Sequence, residues 1–274
     1  MTILQYSVIL ALYKLIISKI MEVKNTKDLT DAPRVKMLLY GAGGTGKTRF
    51  SSTFPKPLYL NIESGMDTFL DMGIDIPYKD IDTYDDVVEV YKFLYKSEDY
   101  DSVIFDSVDN LLKSMCDEQK GQRDTMAVHD WGIILAKLDK ILRKFRDIDK
   151  HVLFIFGEYE EKDGDVLKKR LNVSGKKTPY DVLYYMSIVG YANKQIMDKK
   201  EKFFIDFTSD GTTTYAKSRW NRLREVGSME DPSFDKIYEL ICKSKKDDSE
   251  KVEKTIEKAP GKKVSDKKTS SKKK

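Results

Sequence analysis

The sequence contains few of the residues that build disulfide frameworks and metal centres. It has two cysteines and two histidines among 274 residues. Cys116 and Cys242 lie far apart and match no spacing that is typical of metal ligands or paired thiols. We therefore interpret them as buried apolar residues of a protein from a reducing compartment, which excludes a disulfide-stabilised class. The sequence also shows no internal repeat.

Long apolar runs are scarce, and the strongest one covers residues 3–20. It has neither the preceding basic residues nor the following small residues of a signal peptide. As a membrane span it is short and carries Lys14 in its middle, at a cost of about 2.5–3.5 kcal/mol, so we do not expect membrane association. Residues 1–20 are then either an N-terminal helix or an apolar leader ahead of a start at Met21.

Positive charge is not spread over the chain. Residues 244–274 contain twelve lysines and six acidic residues, which is a net charge of +6. Because the whole chain has a net charge of +4, the remaining residues carry about −2. A nucleic-acid surface must therefore be local. The tail 244–274 has almost no apolar residues and is predicted to be disordered and lysine-rich. Residues 21–243 suffice for one α/β domain.

The most specific motif is a glycine-rich loop at residues 41–48, between the apolar residues 35–40 and a predicted helix. It matches G-x-x-x-x-G-K-[ST], in which glycines let backbone N–H groups point at phosphate oxygens. Lys47 would reach the β- and γ-phosphates, and Thr48 would ligate Mg²⁺. The predicted nucleotide site comprises Gly41, Ala42, Gly43, Gly44, Thr45, Gly46, Lys47, Thr48 and Arg49.

Hydrophobic periodicity predicts an alternation of strands and helices. Strands are expected at 35–40, 58–62, 100–106 and 151–156, and helices at 82–96, 131–145 and 234–243. Apolar strands that alternate with helices imply a mostly parallel sheet covered on both faces. Later antiparallel strands are expected at 182–191, 203–207 and 212–216, and loops at 117–129 and 159–179. The predicted fold class is α/β.

Three acidic residues stand at the ends of predicted strands, namely Glu63, Asp106 and Glu158. Ligands of parallel sheets bind beyond the carboxyl ends of the strands. Asp106 ends an apolar strand in the Walker B arrangement, so we predict that it helps Thr48 to hold Mg²⁺. Asp109, one turn into the next helix, is interpreted as a solvated or capping acid.

The phosphate loop, residues 59–63 and residues 103–108 together resemble the core of RecA-like ATPases. More closely, they resemble the small phage-encoded RecA-like ATPases of the single-strand annealing (Sak) group, over roughly residues 35–223. The resemblance implies a RecA-like P-loop core that binds ATP and Mg²⁺ and acts on single-stranded DNA in recombination, annealing or repair. It also implies a homo-oligomer in the cytoplasm of a bacterial host, with a single-strand DNA-binding protein as a further partner.

The resemblance also assigns catalytic residues. Glu63 occupies the position of the acid that activates the attacking water, and the alternative is a surface acid before a turn. Lys217 and Arg219, after the predicted strand 212–216, would complete the active site of a neighbouring subunit. The alternative for this pair is solvated charges on an edge strand.

Two further features concern coupling to DNA. Related ATPases carry a polar sensor where this chain has Gly157-Glu158, so sensing of the γ-phosphate either passes through Glu158 or is in doubt. By position, DNA-contacting loops would be 117–129 and 159–179, and the second contains Lys168, Lys169, Arg170, Lys176 and Lys177. A solvated lysine-rich loop is the alternative, and the scarcity of aromatic residues there argues against sequence-specific reading.

Two other functions fit the same phosphate loop. A small-molecule kinase would need arginines in a lid over the substrate, and the sequence has no such cluster. A binding module in which ATP switches the oligomeric state with little turnover is the other alternative.

Overall fold

The computed structural model describes residues 33–63, 65–174 and 178–243. The predictions for the apolar leader at 1–20 and the lysine-rich tail at 244–274 lie outside these ranges.

The described residues form eleven strands and eight helices. The strands are β1 (Lys36–Tyr40), β2 (Pro57–Asn61), β3 (Tyr78–Asp80), β4 (Ser102–Asp106), β5 (His151–Phe156), β6 (Glu158–Asp163), β7 (Val166–Leu171), β8 (Ile188–Met197), β9 (Lys200–Asp206), β10 (Lys217–Ser218) and β11 (Ser228–Glu230). The helices are α1 (Lys47–Ser51), α2 (Asp67–Asp71), α3 (Tyr84–Lys96), α4 (Val108–Lys120), α5 (Val128–Asp147), α6 (Thr178–Tyr185), α7 (Asn221–Val226) and α8 (234–243). Within the described ranges, no helix has the length and apolar character needed to cross a membrane.

The central sheet has the strand order β11-β9-β8-β1-β5-β4-β2-β3, with β10 paired to β8. The pairs from β8 through β1, β5, β4 and β2 to β3 are parallel. The pairs of β9 with β8 and β11, and of β10 with β8, are antiparallel. The predicted fold class is confirmed, because a mostly parallel sheet continues into antiparallel strands toward the C-terminus. The carboxyl ends of β1, β2, β4 and β5 meet at one edge.

Each face of the sheet is covered by helices. Side chains alternate along β1, so Leu38 and Tyr40 enter the core beneath α3, α4, α5 and α6. Met37 and Leu39 enter the core beneath α1, α2, α7 and α8. All six residues of β5 are buried. This explains the continuous apolar runs from which a sheet covered on both faces was predicted.

Two predicted strands in the C-terminal part were wrong. Residues 178–185 form helix α6, and the strand predicted at 182–191 begins only at Ile188. The predicted strand 212–216 is an irregular loop around Asp210. The Asp210 carboxylate accepts hydrogen bonds from the backbone N–H groups of Thr212, Thr213 and Thr214. These groups are therefore not free to pair with a strand.

Both predicted loops contain more regular structure than expected. Helix α4 continues to Lys120 and α5 begins at Val128, so the loop predicted at 117–129 is limited to 121–127. Most of 159–179 forms the antiparallel hairpin β6–β7, which turns at Gly164 with a φ of +63°. The hairpin escaped prediction because both of its strands are largely polar, so no apolar alternation marks them.

His151 gives the fold a defined pH dependence. Its side chain is buried, and Nδ1 accepts a 2.9 Å hydrogen bond from the Val35 N–H. Burial, followed by the nearby charges of Arg34 and Lys36, lowers the pKa of His151 to about 4. Between this value and the ordinary pKa of about 6.5, the unfolded chain binds more protons than the folded chain. The stability that comes from the neutral imidazole is therefore complete above pH 6.5 and is lost as the pH falls toward 4.

We expect the free energy of unfolding to fall by up to about 1.4 kcal/mol per pH unit within this window because of His151. Denaturant titrations between pH 7.5 and pH 4.5 measure the effect. In His151→Gln, where the amide accepts the Val35 bond but does not titrate, the decline should be shallower. Parallel curves for the two proteins would contradict the assignment.

Candidate nucleotide-binding site

The segment between β1 and α1 folds into a tight loop that requires glycine at three positions. Gly44 and Gly46 have φ angles of +72° and +81°, which glycine adopts without strain. A Cβ on Gly41 would lie 2.2 Å from the carbonyl oxygen of Ala192 on β8. The Thr45 hydroxyl donates a 2.8 Å hydrogen bond to the carbonyl oxygen of Ala42 within the loop. The loop is therefore built as the glycine pattern predicts.

Lys47 places its ammonium group across this loop. Nζ donates to the carbonyl oxygens of Gly41 at 2.8 Å and of Ala42 at 2.7 Å. Burial lowers the pKa of Lys47, and the negative charges of Asp106 and Glu63 oppose this shift. The result is a partly desolvated cation at the loop, which suits the binding of phosphate oxygens as a point charge.

Asp106 is a buried acceptor that joins two hydroxyl groups. Its Oδ2 accepts hydrogen bonds from Thr48 Oγ1 at 2.8 Å and from the Tyr59 hydroxyl at 2.6 Å. Burial raises the pKa of Asp106, while the bonds from Tyr59 and Thr48 and the charge of Lys47 lower it. The end of β4 is therefore connected directly to the first turn of α1.

Most of the predicted site residues line one cleft of about 400 Å³. It is lined by Lys47, Thr48, Arg49, Glu63, Asp106 and Phe203, among others. The Glu63 side chain is exposed in this cleft, beyond the end of β2. The loop, the strand-end acid and the proposed base thus share one space, although they are distant in the sequence.

Two residues of the site were missed from the sequence. Tyr59 looked like an ordinary core residue, but its hydroxyl reaches Asp106 because β2 and β4 pair with Asn61 opposite Asp106. Phe203 lies on β9, and its ring packs closely against Gly46. A Cβ added at Gly46 would lie only 2.8 Å from the ring. The alternation of side chains along β2 would have indicated Tyr59 if the register of β2 against β4 had been known. No local signal marked Phe203.

Asp109 is placed differently from expectation, whereas Glu158 follows the end of β5, as predicted. Asp109 is half-buried and does not cap its helix. Its Oδ1 accepts the Gly157 N–H at 3.0 Å, and its Oδ2 accepts the Asn172 amide at 3.2 Å. It therefore holds the end of β5. Glu158 is largely buried, 3.6 Å from Lys169 Nζ, and its Oε2 has no hydrogen-bond partner. Glu158 is close enough for its charge to raise the pKa of Lys47.

Lys217 and Arg219 do not line this cleft. Strand β10 pairs with Ile188 and Val189 of β8. The same two residues pair with Met37 and Leu38 of β1, so β10 lies at the level of the first half of β1. Both side chains meet Tyr184, because the Lys217 ammonium lies 5.1 Å from its ring centroid and an Arg219 N–H donates to its carbonyl oxygen at 3.4 Å. The two therefore share one face of an extended segment, as predicted, although the preceding strand is absent.

A divalent metal ion fits the Thr48–Asp106 pair. Within the described residues, no group of three or more histidine, cysteine, aspartate or glutamate side chains could form a protein-only cage. Mg²⁺ does not need one, since it keeps several waters and is commonly bound through one or two protein oxygens and phosphates. A hydroxyl already in contact with a buried carboxylate supplies such a pair.

Together, the strand–loop–helix segment, Lys47 and the Thr48–Asp106 contact define a P-loop nucleotide-binding domain. The family model described as AAA domain (AAA_24) matches residues 34–220. The chain therefore belongs to this AAA-domain family and carries a P-loop ATPase domain.

Two individual proteins add to this comparison. The SPbeta prophage-derived protein YorG of Bacillus subtilis (strain 168) is 26% identical over 176 residues, covering 60% of this chain. The chain spans about half of that relative, with 52% of its length covered. A KaiC-like protein, PH0186, from Pyrococcus horikoshii OT3 has 15% sequence identity and a TM-score of 0.43, over 71% of this chain and 89% of its own. Membership of the single-strand annealing group stays a prediction.

Proposed function

We propose that this protein binds ATP with Mg²⁺, hydrolyses it and acts on single-stranded DNA in recombination, annealing or repair. One observation carries the proposal. The β6–β7 hairpin, which carries Lys168, Lys169 and Arg170, begins at Glu158, two residues after the end of β5. The last residue of β5 pairs with the residue that immediately precedes the phosphate loop. The basic hairpin therefore starts at the same edge of the sheet as the phosphate-binding loop.

Within the nucleotide cleft, the residues have separate roles. Lys47 exchanges its bonds to the loop carbonyls for bonds to phosphate oxygens, while Thr48 and Asp106 hold the metal ion. Mg²⁺ held by Thr48 and Asp106 would supply positive charge next to the reacting phosphates. The exposed carboxylate of Glu63 orients the attacking water and accepts its proton.

Together with α6 and the loop around Asp210, the hairpin lines a separate cleft of about 420 Å³. Lys168, Lys169 and Arg170 bring positive charge to this cleft, and Tyr180 and Tyr215 bring aromatic rings. Cations beside aromatic faces suit the phosphates and bases of a single strand. The lysines and Arg170 pair with acids of the hairpin, namely Asp163, Glu158 and Glu161. The Lys168–Asp163 pair is the most exposed of the three and is therefore weak, so phosphates can compete for Lys168.

We further propose that the protein works as a homo-oligomer in the cytoplasm of a bacterial host, with Lys217 and Arg219 completing the cleft of the next subunit. Their position, on β10 for Lys217 and directly after it for Arg219, supports action in trans. The Arg219 N–H donates to the carbonyl oxygen of Ser187, and the Ser187 hydroxyl donates to the carbonyl oxygen of Lys36. Lys36 precedes Gly41 by five residues, which is about 16 Å along a strand.

Neutralising the hairpin tests the DNA proposal. For Lys168→Gln/Arg170→Gln we expect weaker binding to single-stranded DNA and a slope of log K against log salt reduced by about 1.4, because each lost phosphate contact contributes about 0.7. Fluorescence anisotropy at several salt concentrations measures both. Lys92→Gln/Lys96→Gln, which removes two exposed charges from α3, is the matched control and should keep wild-type values.

Hydrolysis assays with and without single-stranded DNA separate this function from its rivals. We expect DNA to stimulate hydrolysis by the wild-type protein and much less by the hairpin variant. Turnover that ignores DNA would favour a small-molecule kinase. Tight ATP binding with negligible turnover would favour an ATP-switched binding module.

A further inference from the structure

We propose that Phe203 is the platform on which the nucleobase of the bound nucleotide stacks, and that a cleft beside α1 receives this base. The inference rests on the proposed binding of a nucleoside triphosphate at the phosphate loop. Phe203 is half-buried and lines two clefts, the one of about 400 Å³ that holds the loop and a neighbouring one of about 280 Å³. The two clefts also share Gly46, Lys47 and Arg49.

The carboxylates give the nucleotide its direction. Glu63 and Asp106 line the first cleft and are absent from the lining of the second. They mark the end at which the terminal phosphate reacts, so the nucleoside extends away from them. The second cleft adjoins the loop at Gly46, and the Phe203 ring stands at this junction. A nucleotide whose phosphates lie on the loop can therefore reach the second cleft by passing the ring.

The second cleft has the chemistry of a base site. Its wall combines polar and charged side chains with apolar ones, among them Phe50, Met72, Ile205 and Pro232. The Arg49 guanidinium lies 5.7 Å from the Phe203 ring centroid and 3.9 Å from the Asp231 carboxylate, so planar and charged groups stand at the rim. Aromatic rings and guanidinium planes are common stacking partners of bases.

The backbone of Phe203 is also fixed by hydrogen bonds before any ligand binds. Phe203 is paired with Lys194 in the β8–β9 ladder, and its carbonyl oxygen accepts the Asp231 N–H at 2.9 Å. One part of the ring lies against Gly46, where no Cβ interferes. A preorganised aromatic face costs little conformational entropy on binding, which favours its use as a platform.

Calorimetric titrations of the full-length chain with ATP and with inorganic tripolyphosphate, both with Mg²⁺, test the proposal. Tripolyphosphate has no base, so it reports on the phosphate loop alone. For Phe203→Ala we expect the Kd for ATP to rise about 5- to 150-fold, the range of a lost base–aromatic stack, and the Kd for tripolyphosphate to change less than about twofold. Phe203→Leu, which still fills the space beside Gly46, should behave like Phe203→Ala. Phe203→Tyr should restore ATP binding.

Tyr95→Ala removes an exposed aromatic ring on α3 and is the matched control, with no expected change for either ligand. Equal losses for ATP and tripolyphosphate in Phe203→Leu would overturn the proposal, because the ring would then only support the loop. Unchanged ATP binding in Phe203→Leu would overturn it as well. If the wild-type chain binds neither ligand, the proposed nucleotide binding itself fails, which is a distinguishable result.

Discussion

Lys47→Ala should lose ATP binding, whereas Glu63→Gln should bind ATP normally and lose turnover. Lys47 is the cation held at the phosphate loop, and removing a buried, hydrogen-bonded charge should raise the Kd for ATP at least about 30-fold. Glu63 is exposed in the same cleft and acts on water, so its amide should reduce the rate by about 10²–10⁴-fold. Calorimetry and steady-state hydrolysis measure the two effects separately.

Two controls accompany this pair of variants. Thermal unfolding of Lys47→Ala shows whether the loop tolerates the loss of the bonds to Gly41 and Ala42. Glu98→Gln, which changes an exposed acid in the loop after α3, should have wild-type turnover. Equal loss of ATP affinity in Lys47→Ala and Glu63→Gln would refute the division of roles.

A mixture of two inactive proteins should recover activity if Lys217 and Arg219 act on the neighbouring subunit. One protein carries Glu63→Gln and the other Lys217→Ala/Arg219→Ala. Basic groups supplied in trans can be worth on the order of 10³–10⁵ in rate, so each protein alone should be nearly inactive. With random equal mixing, about one interface in four joins an intact Glu63 to an intact pair, and activity should return to about a quarter of the wild-type value.

The fold supplies the reason for expecting complementation. Both side chains stand beside Tyr184, level with the first half of β1, so their own phosphate loop is remote. Co-assembly of the two variants is verified first by a pull-down with differently tagged chains. A co-assembled mixture that stays inactive at every ratio would show that the pair does not act in trans.

The parts of the site that could be predicted are those encoded by adjacent residues. The phosphate loop follows from Gly41, Gly44 and Gly46, whose backbone demands are met within a few residues. Asp106 was found because parallel strands carry their ligands at the carboxyl end, and its contact with Thr48 agrees with that placement. The alternation of apolar strands and helices was sufficient to predict the α/β class.

The failures come from segments whose apolar pattern is ambiguous. The short run after Pro179 is compatible with a strand or a helix, and it became α6 because Val182, Leu183 and Met186 are buried together on one side. In the hairpin β6–β7 the sequence is polar on both faces, so periodicity gave no signal. At 212–216, the Asp210 carboxylate accepts hydrogen bonds from the backbone N–H groups that a strand would use for pairing.

Local sequence was thus enough to specify a phosphate-binding loop, its lysine and the acids at the strand ends, since each depends on backbone geometry within one strand–turn–helix unit. Contacts between distant segments could not be obtained in this way. The hydroxyl of Tyr59 reaches Asp106, 47 residues away, through the β2–β4 register, and the ring of Phe203 reaches Gly46 through the order of strands in the sheet. Register and strand order arise from packing of the whole domain, so these two residues joined the site only when the chain had folded.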